Sequence, residues 1–265
     1  MSEIRAAIRD LVEGRPLGGE RLEDAFGEIM DGLATPASAA GLLVALRMKG
    51  ETAGEIVAVA RALRARARRV SAHDARTLDT CGTGGSGLDT FNISTTSAFV
   101  VAGAGVPVAK HGNRAATSRS GSFDVFEELG VRIDLPIEVY GEILAEVGIA
   151  PFFARTAHPA FRHVAPVRAE LGVRTLLNCL GPLLSPVGAL YQVVGVYSRE
   201  LVGPLAEALL ALGARRALVV HGDDGLDELT TTAGNEAALV SEGRVEALRI
   251  DALDLGLPRA QPSEL

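Results

Sequence analysis

The stretch Leu78-Asp79-Thr80-Cys81-Gly82-Thr83-Gly84-Gly85-Ser86-Gly87, followed by Asn92-Ile93-Ser94-Thr95, restricts the fold more than any other part of the chain. Leu78 to Thr80 reads as the end of a β-strand. The glycines behind it let the backbone approach a ligand closely, with amide N–H groups aimed at oxygens. Ser94 and Thr95 stand where a helix would begin, so a helix N-terminus adds its own donors and dipole. A strand, a glycine loop and a helix in that order belong to a parallel α/β sheet, which binds ligands at the carboxyl ends of its strands. The loop does not end in Gly-Lys-Ser/Thr, and its spacing does not match the dinucleotide fingerprint. Taken alone, it fits a tight turn with a helix cap as well as it fits a phosphate site.

The flanking sequence supplies the rest of the architecture. Leu22, Phe26, Ile29 and Met30 form the i, i+4, i+7, i+8 stripe of an amphipathic helix, and Thr35-Pro36 ends it. Residues 39–48 and 52–69 predict two further helices, with Gly50 as a C-cap between them. From about Thr77 strands alternate with helices. Strands are expected at 106–109, 131–133, 192–196 and 217–221, and helices at 94–104, 122–129, 138–147 and 200–212. Residues 158–171 read as helical and are expected to pack back onto the N-terminal helices. The fold class is therefore α/β: a small N-terminal helical domain at 1–70, joined by helices near 158–175, and a larger α/β domain at 71–265 with a largely parallel sheet. Gly256-Leu257-Pro258-Arg259 leads into a polar tail with no closing element.

Composition removes competing functions. With 48% hydrophobic and 22% charged residues over 265 positions, the chain buries a real core and is not disordered. A formal net charge of −7 argues against a general polyanion binder, and aromatic residues at 4% leave few stacking platforms, so no nucleic-acid partner is expected. A phosphate site here has to be local, built from loop amides, a few cations and a metal ion. Arg61, Arg64, Arg66, Arg68 and Arg69 read as a solvated helix end. Cys81 and Cys179 are far apart in no metal-ligand spacing, which predicts a reduced, cytoplasmic protein. No signal-peptide core follows Met1, and residues 98–109 are too short and too glycine-broken to span a bilayer, so no membrane partner is expected.

Three other groups carry candidate chemistry. Lys110-His111-Gly112-Asn113-Arg114, with Thr117, Ser118, Ser120, Gly121 and Ser122, also follows a β run and suits phosphate and ribose oxygens. It equally fits a polar surface loop with Ser122 as a helix cap. Gly225-Leu226-Asp227-Glu228 offers adjacent carboxylates for Mg²⁺, or an ordinary acidic turn, with Asp223 and Asp224 read as turn residues. Arg168 is a candidate clamp for a substrate carboxylate, although Arg162 and Arg174 are equally eligible by chemistry. The five histidines show no zinc spacing, and no serine or cysteine nucleophile with a partnering histidine can be argued.

In combination, Gly82-Thr83-Gly84-Gly85, Asn92-Ile93-Ser94-Thr95, Lys110 to Arg114 and Leu226-Asp227-Glu228 resemble the anthranilate phosphoribosyltransferase family of tryptophan biosynthesis. Arg174 to Leu183 is similar to a further stretch typical of that family. The resemblance implies a homodimer formed through the helical domain. It implies transfer of phosphoribose from phosphoribosyl pyrophosphate to the amine of anthranilate, giving N-(5-phosphoribosyl)anthranilate and pyrophosphate. Carried over position by position, Gly82, Gly85, Ser86, Thr90, Asn92, Ile93, Ser94, Thr95, Lys110, His111, Gly112, Asn113, Arg114, Ala115, Ala116, Thr117, Ser118 and Ser122 would meet phosphoribosyl pyrophosphate. Gly82, Asn113 and Arg168 would meet anthranilate, and Ser94, Asp227 and Glu228 would hold Mg²⁺. No residue is assigned as acid or base, since an aromatic amine is already a competent nucleophile. Ser86 stands where the family usually has Asp, and Leu184-Ser185 where Thr-Asn is common. The family's α/β domain continues past the pattern present here, so the resemblance implies one truncated at its C-terminus, with an open sheet edge and uncovered apolar surface. A non-catalytic relative that keeps the ligand pocket is the alternative, and nucleoside phosphorylase chemistry a more distant one.

Overall fold

The computed structural model describes residues 2–88, 90–115 and 119–261. The chain opens with α1 (Glu3–Val12), α2 (Gly19–Met30), α3 (Pro36–Lys49) and α4 (Ala53–Arg64). The expected stripe on α2 is the face it buries: Leu22, Phe26, Ile29 and Met30 are all in the core. Thr35 caps α3 by accepting from the Ser38 N–H, and Pro36 occupies the first turn, where a missing N–H is harmless. A reciprocal box starts α4: Thr52 Oγ1 accepts from Glu55 N–H, and Glu55 Oε2 accepts from Thr52 N–H at 3.0 Å. This helix is buried nearly all round, from Glu55 to Leu63. It ends at Arg64 rather than running to Arg69. The chain turns away there, and the Arg68 N–H donates to the Ala157 carbonyl at 2.8 Å. Arg64 is itself held inside, with Nε donating to the Leu183 carbonyl at 2.6 Å, and burial pulls its guanidinium down to about 10.

The sheet comprises β1 (Leu78–Gly82), β2 (Val108–Gly112), β3 (Ile149–Phe153), β4 (Tyr191–Gly195), β5 (Arg216–Gly222), β6 (Asn235–Ser241) and β7 (Arg244–Ile250). Its order is β3-β2-β1-β4-β5-β6-β7. The run from β3 to β5 is parallel, while β6 and β7 are antiparallel to their neighbours. Helices α5 (Ile93–Gly103), α6 (Ser122–Glu128), α7 (Ile137–Val147), α8 (Ala154–Ala157), α9 (Ala165–Leu171) and α10 (Val202–Ala211) fill the connections.

Several expectations need correction. Residues 131–133 are not a strand. The Tyr140 hydroxyl donates to the Arg132 carbonyl and accepts from the Leu135 N–H, both at 3.1 Å, so this segment is tied as a connection to α7. The strand lies at Ile149–Phe153 instead. The strand expected at 106–109 starts two residues later and ends three later, which draws Lys110 and His111 into the ladder. Residues 158–171 are broken, with Pro159 and Pro166 each opening a new short helical turn. That segment does pack back on the bundle, since Val164 and Val167 join the core formed by α1 to α4. The β6–β7 hairpin has no counterpart among the sequence expectations. Its turn is Glu242-Gly243, both with positive φ (52° and 73°), the two-residue geometry that matches strand twist.

One apolar cluster runs from Ile4 on α1 through α4 and α10 to Val194, Val219 and Val240 on the sheet, so bundle and sheet share a core on one face. A smaller cluster around Tyr140 and Phe152 continues that face at the β3 edge, while the opposite face has a cluster around Phe123, Phe126 and Phe153. On α5 the outward Phe99 and Val100 are exposed. Connections leave β1 toward β2 and leave β4 toward β5, so the topology reverses between β1 and β4, and a crevice opens at their carboxyl ends.

Removing the Thr52 hydroxyl deletes one half of the α4 box. Thr52→Ala is expected to lower unfolding free energy by about 0.5–2 kcal/mol in urea titrations, with an unchanged m-value.

Candidate functional site at the carboxyl ends of β1 and β4

Gly82 and Gly195 are partners across the β1–β4 ladder and mark the floor of the crevice. The Thr83 N–H donates to the Gly195 carbonyl at 2.9 Å, and the Tyr197 N–H donates to Thr83 Oγ1 at 3.0 Å, fastening the start of the glycine loop to the end of β4. The loop then passes through left-handed Gly84 and Gly85, with φ of 65° and 89°.

The acidic turn lies directly on this floor. A Cβ on Gly195 would overlap the Asp227 carbonyl oxygen, and one on Gly82 would sit 3.3 Å from Asp227 Oδ2. The turn is held from behind. Asp224 Oδ1 accepts from the Leu226 N–H at 3.1 Å, Asp224 Oδ2 accepts from the Thr232 hydroxyl, and Leu226 is fully buried. Asp223 pairs with Arg249 on β7, so the hairpin braces the turn as well. Asp223 and Asp224 are turn residues, as expected, but each carries a defined load.

Glu228 is the electrostatic centre. Burial, then the charge on Asp227, push its carboxyl up to about 7, while Lys110 and the Ser94 backbone N–H act in the opposite direction. Ser94 lies in the first turn of α5, and the Thr80 hydroxyl donates to its carbonyl at 3.0 Å, locking that helix start to β1. Gly82, Ser94, Lys110, Asp227 and Glu228 therefore converge on one place.

Lys110 reaches it from below. It is 1% exposed on β2, and its Nζ donates to the Thr80 carbonyl. Beside it Asp79 is also buried, which raises its carboxyl to about 6 although Lys110 opposes the shift. Asp79 Oδ1 accepts from the His111 N–H at 3.1 Å. The His111 ring packs edge-on against His158 at 5.2 Å, and burial pushes His158 down to about 4. Thr95 is enclosed as well.

The second loop contributes at its rim. Asn92 Nδ2 donates to Ser120 Oγ at 3.2 Å and bridges the two loops. The Arg114 N–H donates to Asn113 Oδ1 at 2.9 Å. The Arg114 guanidinium forms a two-pronged pair with Glu127 at 2.7 Å on each arm and lies over Phe153, so its charge is committed to α6. Asp124 accepts from the Ala115 and Gly121 N–H groups and shapes the turn before Ser122, whose Oγ would lie 3.1 Å from a Cβ on Gly112. Thr90 is half-buried, Ile93 starts α5, and Ser86 Oγ accepts weakly from Leu88 N–H at 3.5 Å. Ala116, Thr117 and Ser118 lie outside the described residues. Arg168 is half-buried on α9, beside α3, where burial depresses its guanidinium. Of the three arginines eligible by chemistry, Arg174 is the one joined to the glycine loop, through the Gly85 carbonyl.

Among the described residues no three His, Cys, Asp or Glu side chains group to hold a metal. The site nevertheless suits Mg²⁺. Burial, with the neighbouring charge on Asp227, raises the Glu228 carboxyl to about 7, and a hard divalent cation held by this oxygen-rich pair would favour its ionised form. Among the described residues no helix is long and apolar enough to cross a membrane.

Comparison with known proteins agrees with this geometry. The helical bundle domain of the glycosyl transferase family matches residues 5–67, and the a/b domain of the same family matches residues 74–265. Anthranilate phosphoribosyltransferase from Rubrobacter xylanophilus is 53% identical over 262 residues, 99% of this chain and 76% of the relative. The enzyme of the same name from Rhodospirillum rubrum is 50% identical over 264 residues, 100% of this chain and 76% of its own. The chain belongs to the anthranilate phosphoribosyltransferase family. Its fold is the family's: the crystal structure of anthranilate phosphoribosyltransferase (TrpD) from Thermus thermophilus superposes with a TM-score of 0.91 at 49% identity, covering 98% of this chain and 77% of that one. The Saccharomyces cerevisiae family member, solved in complex with PRPP and Mg, superposes with a TM-score of 0.85 at 28% identity, covering 98% and 76%.

Two residues that shape the site, Gly195 and Tyr197, escape sequence reasoning, and two others, Thr83 and Asp224, are read there only as loop and turn residues. A lone glycine ending a strand carries no pattern of its own, and Asp224 looks like any turn aspartate.

Two outcomes follow from the geometry. Gly195→Ala forces the Asp227 backbone off the crevice floor, and is expected to cost about 1–3 kcal/mol of stability in urea unfolding and to abolish metal-dependent stabilisation. For Glu228 the folded carboxyl titrates at about 7 against an ordinary 4.5, so its favourable protonated state is lost as pH rises through that window. With EDTA present, the melting temperature of Glu228→Gln minus that of the parent chain is expected to grow between about pH 4.5 and 7 and to level off above it.

Proposed function

We propose that this chain transfers phosphoribose from phosphoribosyl pyrophosphate to the amine of anthranilate, yielding N-(5-phosphoribosyl)anthranilate and pyrophosphate. The observation that carries this reading is the seating of Asp227 and Glu228 on the glycine floor beside Ser94, where the two polar loops meet. The relatives at about half identity across the whole chain bear the name of this enzyme, and the partners in the yeast structures, PRPP with Mg and 4-fluoroanthranilate, are of the same chemistry. A binding-only role draws no comparable support, since the relatives at about half identity bear the name of the enzyme.

The chemistry sets what the residues must do. The bond between ribose C1 and the pyrophosphate oxygen breaks, and its electron pair leaves with pyrophosphate. The anthranilate nitrogen forms the new bond to C1 and then loses a proton. Positive charge builds on the ribose and negative charge on the leaving group, so catalysis rests on positioning and on fixed donors. Backbone amides of the loop at Gly82, Gly85, Ser86 and Thr90, and of the helix start at Asn92 to Thr95, take the phosphate oxygens. Lys110 adds positive potential from beneath, and His111 to Ala115 with Ser122 form the opposite wall. Ser94, Asp227 and Glu228 would hold Mg²⁺, which supplies neutralising charge to the pyrophosphate when bound. Gly82, Asn113 and Arg168 receive anthranilate, with the guanidinium of Arg168 taking the carboxylate.

The same reading divides the chain into a helical domain at 1–70 and an α/β domain at 71–265, places it in the cytoplasm, and pairs two copies through the helical domain. The test is the loss of anthranilate fluorescence as phosphoribosyl pyrophosphate is consumed. Turnover is expected, and Asp227→Ala/Glu228→Ala is expected to lower kcat/KM at least about a hundredfold. A well-folded parent chain that makes no product at saturating substrates with Mg²⁺ overturns the proposal.

A further inference from the structure

Arg174 follows α9 after the left-handed Gly172, so it leaves the helical side of the molecule and points across to the sheet. Its Nη2 donates to the Gly85 carbonyl, and its guanidinium carbon lies over the Tyr197 ring, 4.3 Å from the ring centroid. Among the described residues it takes part in no ion pair, whereas Arg114 is committed to Glu127 and Arg66 to Asp31. Its outer side opens onto a surface groove lined by Val44, Arg47, Met48 and Val173. Gly85 is matched to this contact, since a Cβ there would sit 3.1 Å from Arg174 Nη2.

The consequence lies in the peptide plane. A trans peptide directs its carbonyl and its N–H to opposite sides. Holding the Gly85 carbonyl against Arg174 therefore turns the Ser86 N–H away from Arg174. Without that bond, Gly84, Gly85 and Gly87, all left-handed, leave the loop several peptide orientations of similar energy, and ordering them costs conformational entropy when a ligand binds. Thr83 is already fastened to β4 at Gly195 and Tyr197, and Tyr197 is the same residue on which Arg174 stacks. The loop thus has two anchors that share one tyrosine. Arginine suits the second anchor because its planar fork donates in plane while its face stacks on a ring; a lysine ammonium cannot do both.

We infer that Arg174 is a positioning residue of the phosphoribosyl loop: it selects the peptide orientation at Gly85-Ser86 that presents loop amides to a polyphosphate. This rests on the proposed function, and it deepens that reading by adding a residue that no substrate need touch. The effect belongs to binding of phosphoribosyl pyrophosphate, since the ordering occurs when that substrate arrives, and not to anthranilate.

The experiment is calorimetric binding of phosphoribosyl pyrophosphate with Mg²⁺, beside steady-state kinetics, on the parent chain, Arg174→Ala, Arg174→Lys and Tyr197→Ala. The expected result is a rise of about tenfold or more in both Kd and KM for phosphoribosyl pyrophosphate in all three variants, with the anthranilate KM unmoved and kcat changed much less. Added guanidinium at millimolar concentration is expected to restore part of the affinity of Arg174→Ala but not of Tyr197→Ala. Parent-like affinity in a cooperatively melting Arg174→Ala overturns the inference, as does full function in Arg174→Lys. A rise confined to the anthranilate KM also overturns it, by making Arg174 the carboxylate clamp. Should Arg174→Ala fail to fold, Arg174→Lys and Tyr197→Ala decide in its place. If the parent chain itself does not bind phosphoribosyl pyrophosphate, the proposed function falls and takes this inference with it.

Discussion

The contact between the Asp227 backbone and the Gly195 strand end is the constraint on which the rest of the site depends. No side chain fits between them, so the acidic turn rests on the ladder itself. Gly195 is paired on both sides, with Gly82 of β1 and Val220 of β5, so this strand end is held as an interior part of the sheet is. A carboxylate placed there inherits that rigidity, whereas the same residue on a free loop would have to be ordered at the time of binding. Everything behind the turn serves the same contact: Asp224 closes it, Leu226 roots it in the core, and β7 braces it through Arg249.

That rigidity also explains how a chain with a net charge of −7 can present a site for a polyanion. The charges nearest the crevice are arranged so that little of the molecule's negative field acts there. Lys110 is buried among Asp79, Glu228 and the Thr80 carbonyl, and both carboxyls are held up toward neutrality by burial, near 6 and 7. Burial thus weakens the negative charge of Glu228 most, Asp79 losing its charge only below about pH 6, and a divalent cation would be the natural replacement for the proton on Glu228.

What was legible in the sequence tracks how local the cause is. The glycine loop, the Ser94 helix start and the Asp227-Glu228 turn could be placed after their strands from local residue types. Each alone also fits an ordinary turn or cap, and only their combination narrows the chemistry. The break at Thr35-Pro36 was readable from local residue types as well. The burial of Lys110 was not. A strand expected to end at Ala109 leaves Lys110 in a loop, and only the ladder with β3, pairing Lys110 with Pro151, draws it inside. Val131-Arg132-Ile133 has strand-like residues, yet a tyrosine eight positions away ties it as a connection. Arg162, Arg168 and Arg174 are chemically identical, so which of them meets the loop is a property of the path after Gly172. The β6–β7 hairpin was hidden because its strands carry alanines and charges in place of β-branched runs, and its turn is Glu-Gly rather than Asn-Gly.

The common core of bundle and sheet finally gives the crevice its second wall. Because α4 is buried nearly all round between α2 and α10, the bundle cannot slide on the sheet without breaking a single apolar cluster that extends from Ile4 to Val240. The segment from α9 to Arg174 rides on that bundle through Val164 and Val167. The position of the Arg174 guanidinium over Tyr197 is therefore set by packing among helices some distance from any phosphate. Loop geometry and bundle packing form one system, and the aromatic face of Tyr197 is where they meet.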